Sequence, residues 1–237
     1  GVAGLIRALA VSRSTAWREI PFVVGSGVLL LGLVSDGWHG GPDQLSRLDG
    51  FILLAAFAAF FVYVFRMALR ARNEDPARDG QVREMPVPLA GLAILAGLAG
   101  LFFGGRLVVE QATTLARALG VSDRMIALTI VSAGTSFPEL ATSAVAAWRG
   151  KADIAIGNVV GSCIFNTLFI MGLSGIVHPL AWEGPSALTL DLVVMLGASL
   201  LLFAAMYTFG RRKLDRIEAG AFLVGMVAYM IWVIDRG

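Results

Sequence analysis

The residues best suited to chemistry lie between Ser132 and Asn166, around Gly134-Thr135-Ser136-Phe137-Pro138-Glu139. Ser132, Ser136, Glu139 and Ser143 are spaced i, i+4, i+7 and i+11, which in a helix makes one polar stripe on an otherwise apolar surface. Further on, Asn158, Ser162 and Asn166 repeat the pattern at i, i+4 and i+8, within Gly157-Asn158-Val159-Val160-Gly161-Ser162-Cys163-Ile164-Phe165-Asn166. Two helices would then each carry a row of oxygen donors. Pro138 has no amide hydrogen to offer the Gly134 carbonyl and crowds the preceding turn, so a bend is expected there. Carbonyl, hydroxyl and amide oxygens with one carboxylate form a hard ligand set, suited to calcium or sodium and not to zinc or copper. These donors fill about half of a six-to-eight-oxygen calcium shell. The rest would come from an opposing copy of the motif.

The elements that must position these residues are membrane helices. The chain of 237 residues is 57% hydrophobic and 15% charged, with a mean hydropathy of +0.77, too apolar for a soluble domain of this size. An ionised side chain at the centre of a membrane helix costs roughly 2.5 to 3.5 kcal/mol on insertion scales, so Glu139 needs a partner, and a cation is the natural one. Gly157 and Gly161 would let the second helix press close to the first. Apolar spans are expected over about Pro21–Ser35, Phe51–Met67, Pro88–Ala118, Asp123–Trp148, Asp153–Leu173, Leu188–Phe209 and Ile217–Ile234, with residues 1–10 the tail of another. Between them, Asp36–Asp43 reads as a turn-rich loop and Arg70–Arg83 as a linker. Arg106 and Glu110, one turn apart, should pair near the outer end of their span as a structural feature.

Charge placement tests this layout. With alternating spans, all of the 19 Lys and Arg residues except Arg47, Arg106, Arg117, Arg124 and Arg236 fall on one side, which the positive-inside rule makes cytoplasmic. The net charge of +2 is thus sorted across a lipid bilayer and not gathered into a nucleic-acid-binding face. The single cysteine, Cys163, excludes an internal disulfide and is expected to be a buried thiol. His39 and His178 lie outside the spans and have no expected role. The chain begins at Gly1 in mid-pattern, as a fragment or processed chain would.

A weak internal repeat is also present. Leu45-Ser46-Arg47-Leu48-Asp49 resembles Leu214-Asp215-Arg216-Ile217-Glu218, and Gly4-Leu5-Ile6-Arg7-Ala8-Leu9-Ala10 resembles Gly175-Ile176-Val177-His178-Pro179-Leu180-Ala181, both at offsets of roughly 170 residues. Five spans separate corresponding points, and an odd number inverts the second copy in the membrane, as in secondary transporters. The expected organisation is residues 1–69 as the C-terminal part of the first repeat, 70–87 as a cytoplasmic linker, and 88–237 as a complete second repeat of five helices. The counterpart of Ser162 would precede Gly1, so the chain should lack the first copy's ligands and should not exchange ions alone.

The paired motif, Gly134–Leu140 followed by Gly157–Asn166, resembles the second alpha-repeat of the cation/calcium antiporter superfamily, in its prokaryotic sodium/calcium exchanger branch. The resemblance implies an all-α polytopic membrane bundle of two inverted five-helix halves, of which this chain spans the end of helix 3 to helix 10. It implies sodium/calcium antiport by alternating access in the bacterial inner (plasma) membrane, with Ca2+ and Na+ as transported ions and no cofactor. Carried over by position, Glu139 is the shared carboxylate, Thr135 and Ser136 contribute hydroxyl or main-chain oxygen, Ser162 and Asn166 line the site from the next helix, and the Ser132 carbonyl serves a sodium site. Cys163 replaces the family's usual Asn and points off the stripe. Asn166 stands where some members have Asp, and its neutrality argues against potassium co-transport. Three other readings are open. Proton-coupled calcium antiport would use Glu139 as the proton carrier. An intramembrane hydrolase with Ser162 as nucleophile lacks a positioned base within any span. Ser, Thr and Gly could also be packing residues alone, which leaves a midplane Glu after a Pro unaccounted for.

Overall fold

In the computed structural model, residues 1–10, 19–35, 44–74, 85–181, 187–208 and 213–236 are described. The loop Asp36–Asp43 with His39, and the linker from Asp75 to Arg83, lie outside them. The described chain is almost entirely helical: α1 (Val2–Ile6), α2 (Ile20–Val34), α3 (Arg47–Glu74), α4 (Val87–Ala118), α5 (Asp123–Ile126), α6 (Ser132–Thr135), α7 (Phe137–Trp148), α8 (Ala152–Ile164), α9 (Met171–Val177), α10 (Ala187–Thr208) and α11 (Arg216–Arg236). π-helical turns at Ala127–Val131 and Phe165–Ile170 join α5 to α6 and α8 to α9.

Each of the seven expected spans is helical. Among the described residues, α3, α4, the α8–α9 segment and α11 are long and apolar enough to cross a membrane as single helices, while α2 and the apolar part of α10 are shorter. The segment from Asp123 to Trp148 is broken into pieces by the π turn and by a second interruption at Ser136.

Two compact units emerge. One comprises Gly1–Arg7, Ala77–Lys151 and Asp215–Gly237, and the other Ala8–Pro76 and Ala152–Leu214. Each draws elements from both sides of residues 70–87. In the first unit α1 packs on α7 and α11, and α4 packs on α6 and α7. In the second, α3 packs on α9 and α2 on α10. The α3–α9 contact is close because Gly50 and Gly172 face each other: a methyl group on Gly50 would lie 2.6 Å from the Gly172 carbonyl.

The second unit also holds four two-residue strands, β1 (Leu9–Ala10), β2 (Gln44–Leu45), β3 (Leu180–Ala181) and β4 (Lys213–Leu214), which the sequence reading did not expect. They form two antiparallel pairs, β1 with β4 and β2 with β3. Leu9 sits opposite Leu214 and Leu45 opposite Leu180. The repeat equates Leu9 with Leu180 and Leu214 with Leu45, so each pair is the image of the other in the same register.

Helix starts repeat as well. Ser46 donates its N–H (2.8 Å) and hydroxyl (2.6 Å) to Asp49 Oδ2, and the Asp49 N–H returns to Ser46 Oγ at 3.3 Å, a capping box at the head of α3. At the head of α11 the Asp215 N–H donates to Glu218 Oε2 at 3.0 Å, with both residues at the equivalent positions. Asp49→Ala is expected to cost about 1 kcal/mol, seen as a lower thermal unfolding midpoint in detergent. Glu218→Ala, whose bond is exposed, should cost less.

Candidate functional site

The candidate residues fall in two groups, one in each compact unit. Ser132, Thr135, Ser136 and Glu139 surround the interruption between α6 and α7, while Ser162 lies in α8 and Asn166 in the π-helical turn that follows.

The interruption follows from the sequence. Phe137 and Pro138 open α7, where a missing amide hydrogen does no harm because helix-initial N–H groups have no intrahelical partner. Ser136 takes a non-helical conformation (φ −96°, ψ 3°). Its N–H donates to the Ala133 carbonyl at 3.1 Å, one residue nearer than the α-helical partner Ser132. The Ser132 carbonyl accepts the Thr135 hydroxyl instead, at 2.8 Å. The Ser136 carbonyl accepts the Leu140 N–H at 2.9 Å and starts the new helix. Ser132 and Thr135 are thus tied into one local knot of oxygens just before Ser136, and the expected bend at Pro138 is a full helix break.

Glu139 stands in the first turn of α7, where the aligned peptide dipoles favour an anion. The side chain is half-buried, and its Oε2 is shielded from solvent. Ser143, one turn on, is buried. Other hydroxyls nearby turn into their own helices: Thr129 Oγ1 donates to the Met125 carbonyl and Thr142 Oγ1 to the Pro138 carbonyl. Beneath the break, Gly134 is buried against α4, where an added methyl would overlap the side chain of Val109.

In the other unit Asn158 and Ser162 are half-buried and Asn166 is exposed. Phe165 and Phe169 flank Asn166 and stack at 4.8 Å, both also meeting Phe57 of α3 at 5.7 and 5.2 Å. These rings, apolar residues among apolar residues and so without a signal in the sequence, fasten the π-helical turn to α3. Cys163 corrects an expectation: it is exposed, because the residue after Ser162 turns away from the buried Val160 and Ile164 edge of α8. Arg106 and Glu110 pair as expected at 2.6 Å on the exposed surface of α4. His178 is exposed after α9. Among the described residues no three His, Cys, Asp or Glu side chains gather, so any cation held here relies on neutral oxygens beside Glu139.

Residues 89–234 match the family model described as sodium/calcium exchanger protein. The chain belongs to the sodium/calcium exchanger family. It is 33% identical to the putative antiporter CaxA of Alkalimonas amylolytica over 97% of this chain and 71% of that protein. It is 30% identical to the inner membrane protein YrbG of Escherichia coli (strain K12), over 98% of this chain and 70% of that protein. Among solved structures, the sodium-calcium exchanger NCX_Mj soaked with 10 mM Na+ and 10 mM Sr2+ superposes with a TM-score of 0.72 at 25% identity, over 99% of this chain and 70% of that one. The fold is therefore that of a polytopic helical membrane transporter, and the chain is an integral membrane protein of the cation/calcium antiporter superfamily. This sodium/calcium exchanger family member carries the first half of its polar motif on an interrupted helix, which membranes tolerate only where backbone is buried or lines a cavity.

Val109 decides how closely α4 approaches the break. Gly134→Ala is expected to displace the knot and weaken calcium binding by the full-length protein about tenfold, equivalent to about 1.4 kcal/mol. Val109→Ala in the same background should restore most of it, as isothermal titration with calcium would show.

Proposed function

We propose that the chain is the ion-binding part of a secondary antiporter that exchanges sodium for calcium by alternating access. The observation that carries this reading is Glu139 itself, a carboxylate with one shielded oxygen placed directly after a helix break, in a chain of the sodium/calcium exchanger family. Glu139 is the charged ligand shared by calcium and sodium. Thr135 and Ser136 add hydroxyl or main-chain oxygen, and the Ser132 carbonyl, which holds only the Thr135 hydroxyl across the break, keeps a lone pair for sodium. Ser162 and Asn166 supply oxygens from the second motif. The shell is completed by a first repeat of the same protein, of which residues 1–69 are the C-terminal part, joined through 70–87 to the second repeat at 88–237. The relatives support this, since the chain spans about 70% of the length of CaxA and YrbG.

Sodium is the coupling ion in this reading, as the name of NCX_Mj states for that protein. Nothing in the site calls for bond-breaking chemistry, and the role is transport, not catalysis. The bacterial inner membrane, named for YrbG, is the location.

Full-length protein in sealed vesicles is expected to take up calcium when an outward sodium gradient is imposed. Glu139→Gln, which keeps the shape and removes the charge, should cut the initial rate at least 100-fold, and Ser162→Ala should lower calcium affinity by a smaller factor. Uptake driven by a pH gradient in the absence of sodium would replace sodium coupling with proton coupling.

A further inference from the structure

At one end of the first compact unit, cations from three separate elements meet. Arg7 follows α1, Arg149 and Lys151 follow α7, and Arg216 opens α11. Their meeting is set by tertiary contacts. The Arg216 guanidinium donates to the Ile6 carbonyl at 3.3 Å, one residue from Arg7. Arg7 lies over the turn after α7, with its Nη1 2.6 Å from where a β-carbon on Gly150 would stand. Gly150 has φ +75° and closes α7 with its N–H on the Ala147 carbonyl (3.0 Å) and the Lys151 N–H on the Ala146 carbonyl (2.8 Å). Only glycine meets both demands at low cost, a left-handed backbone and an empty space for the guanidinium.

All four side chains belong to exposed residues. Among the described residues none of the four has a carboxylate within ion-pair distance. Glu218, the nearest acid on α11, accepts the Asp215 N–H. The C-terminal end of α7 presents about half a negative charge, far short of four positive ones. Asp215, immediately before Arg216, forms no ion pair with them among the described residues, so the cluster is a concentration of positive charge that an anion would balance. Its height in the membrane says which. Trp148, immediately before Arg149, is 74% exposed, and Ile217, immediately after Arg216, is 86% exposed. A large indole and an aliphatic side chain left open beside arginines mark the boundary between acyl chains and headgroups, on the side that the distribution of Lys and Arg makes cytoplasmic.

We propose that Arg7, Arg149, Lys151 and Arg216 form a binding site for the phosphate headgroup of an anionic phospholipid of the cytoplasmic leaflet. The guanidinium groups take the phosphate oxygens as paired donors, Lys151 adds a point charge, and the acyl chains run down past Trp148 and Ile217. The lipid ties α1 and α11 to the end of α7, the helix that carries Glu139.

The test is lipid binding to the purified full-length protein, counted by native mass spectrometry with phosphatidylglycerol and phosphatidylcholine of identical chains. Phosphatidylglycerol should bind at least tenfold more tightly. Arg7→Gln with Arg216→Gln should weaken it by about fivefold for each charge removed and leave phosphatidylcholine unchanged, while Arg47→Gln, at the head of α3, changes neither. On the unaltered protein, phosphatidylglycerol should raise the thermal unfolding midpoint in 50 mM NaCl and do so far less in 500 mM. Equal affinity for the two lipids, an unaltered phosphatidylglycerol affinity in the double variant, or a salt-independent midpoint would overturn the proposal. Full displacement of the lipid by 10 mM inorganic phosphate would also overturn it, by showing a site for a free anion.

Discussion

Hydrocarbon offers no water to a backbone group, so a helix inside a membrane can be interrupted only where its released donors and acceptors find other partners. That constraint governs the region around Glu139. Pro138 withdraws one donor from Gly134, and the Ser136 N–H moves to Ala133. The Ser132 carbonyl is left to the Thr135 hydroxyl. Proline brings no amide hydrogen, so the Gly134 carbonyl loses its helical donor and stands as an acceptor close to the Glu139 carboxylate in sequence. A released carbonyl beside a carboxylate is the kind of oxygen set that suits a hard cation.

The repeat supplies the frame on which such breaks can be borne. Neither β1–β4 nor β2–β3 is stable alone, since two residues a side offer few ladder bonds. Each joins the end of one span to the beginning of another far away in sequence, with Leu9 and Leu214 buried in one pair and Leu45 buried in the other. The capping residues behind them, Asp49 and Glu218, fix where α3 and α11 begin. The two pairs share one register, Leu9 opposite Leu214 and Leu45 opposite Leu180, although the helix surfaces around them share little beyond being apolar.

What the sequence disclosed and what it withheld follow the same physics. Long apolar runs, a proline before a glutamate and an Arg–Glu spacing of four act locally, so the helices, a bend near Pro138 and the Arg106–Glu110 pair were legible, while the full break at Ser136 was not. The four strands were not, since two residues cannot display an alternation. The π-helical turns at Ala127–Val131 and Phe165–Ile170 were not either, because widening a turn needs a tertiary partner, such as the stack of Phe165 and Phe169 on Phe57. Cys163 was expected to be buried on the apolarity of its neighbours, although apolar neighbours in a membrane helix do not distinguish a face turned to protein from one turned elsewhere. The close packing of Gly134 on Val109 is a contact between residues 25 apart, and no local pattern encodes it.

Charge balance separates the two ions. Glu139 contributes one negative charge, and the other candidates, Ser132, Thr135, Ser136, Ser162 and Asn166, contribute none. A calcium ion held by this set alone would leave one uncompensated positive charge away from water, which is costly. A single sodium ion would leave none. If an equivalent carboxylate from an inverted copy faces Glu139, the balance reverses: calcium neutralises the pair, and sodium does so only when more than one ion enters. Two carboxylates would then be satisfied by either cargo but not by both together, since the second would restore the excess charge that the first had removed. Competition of that kind couples opposing fluxes through electrostatics, with no requirement for a separate sensing element between the two ions.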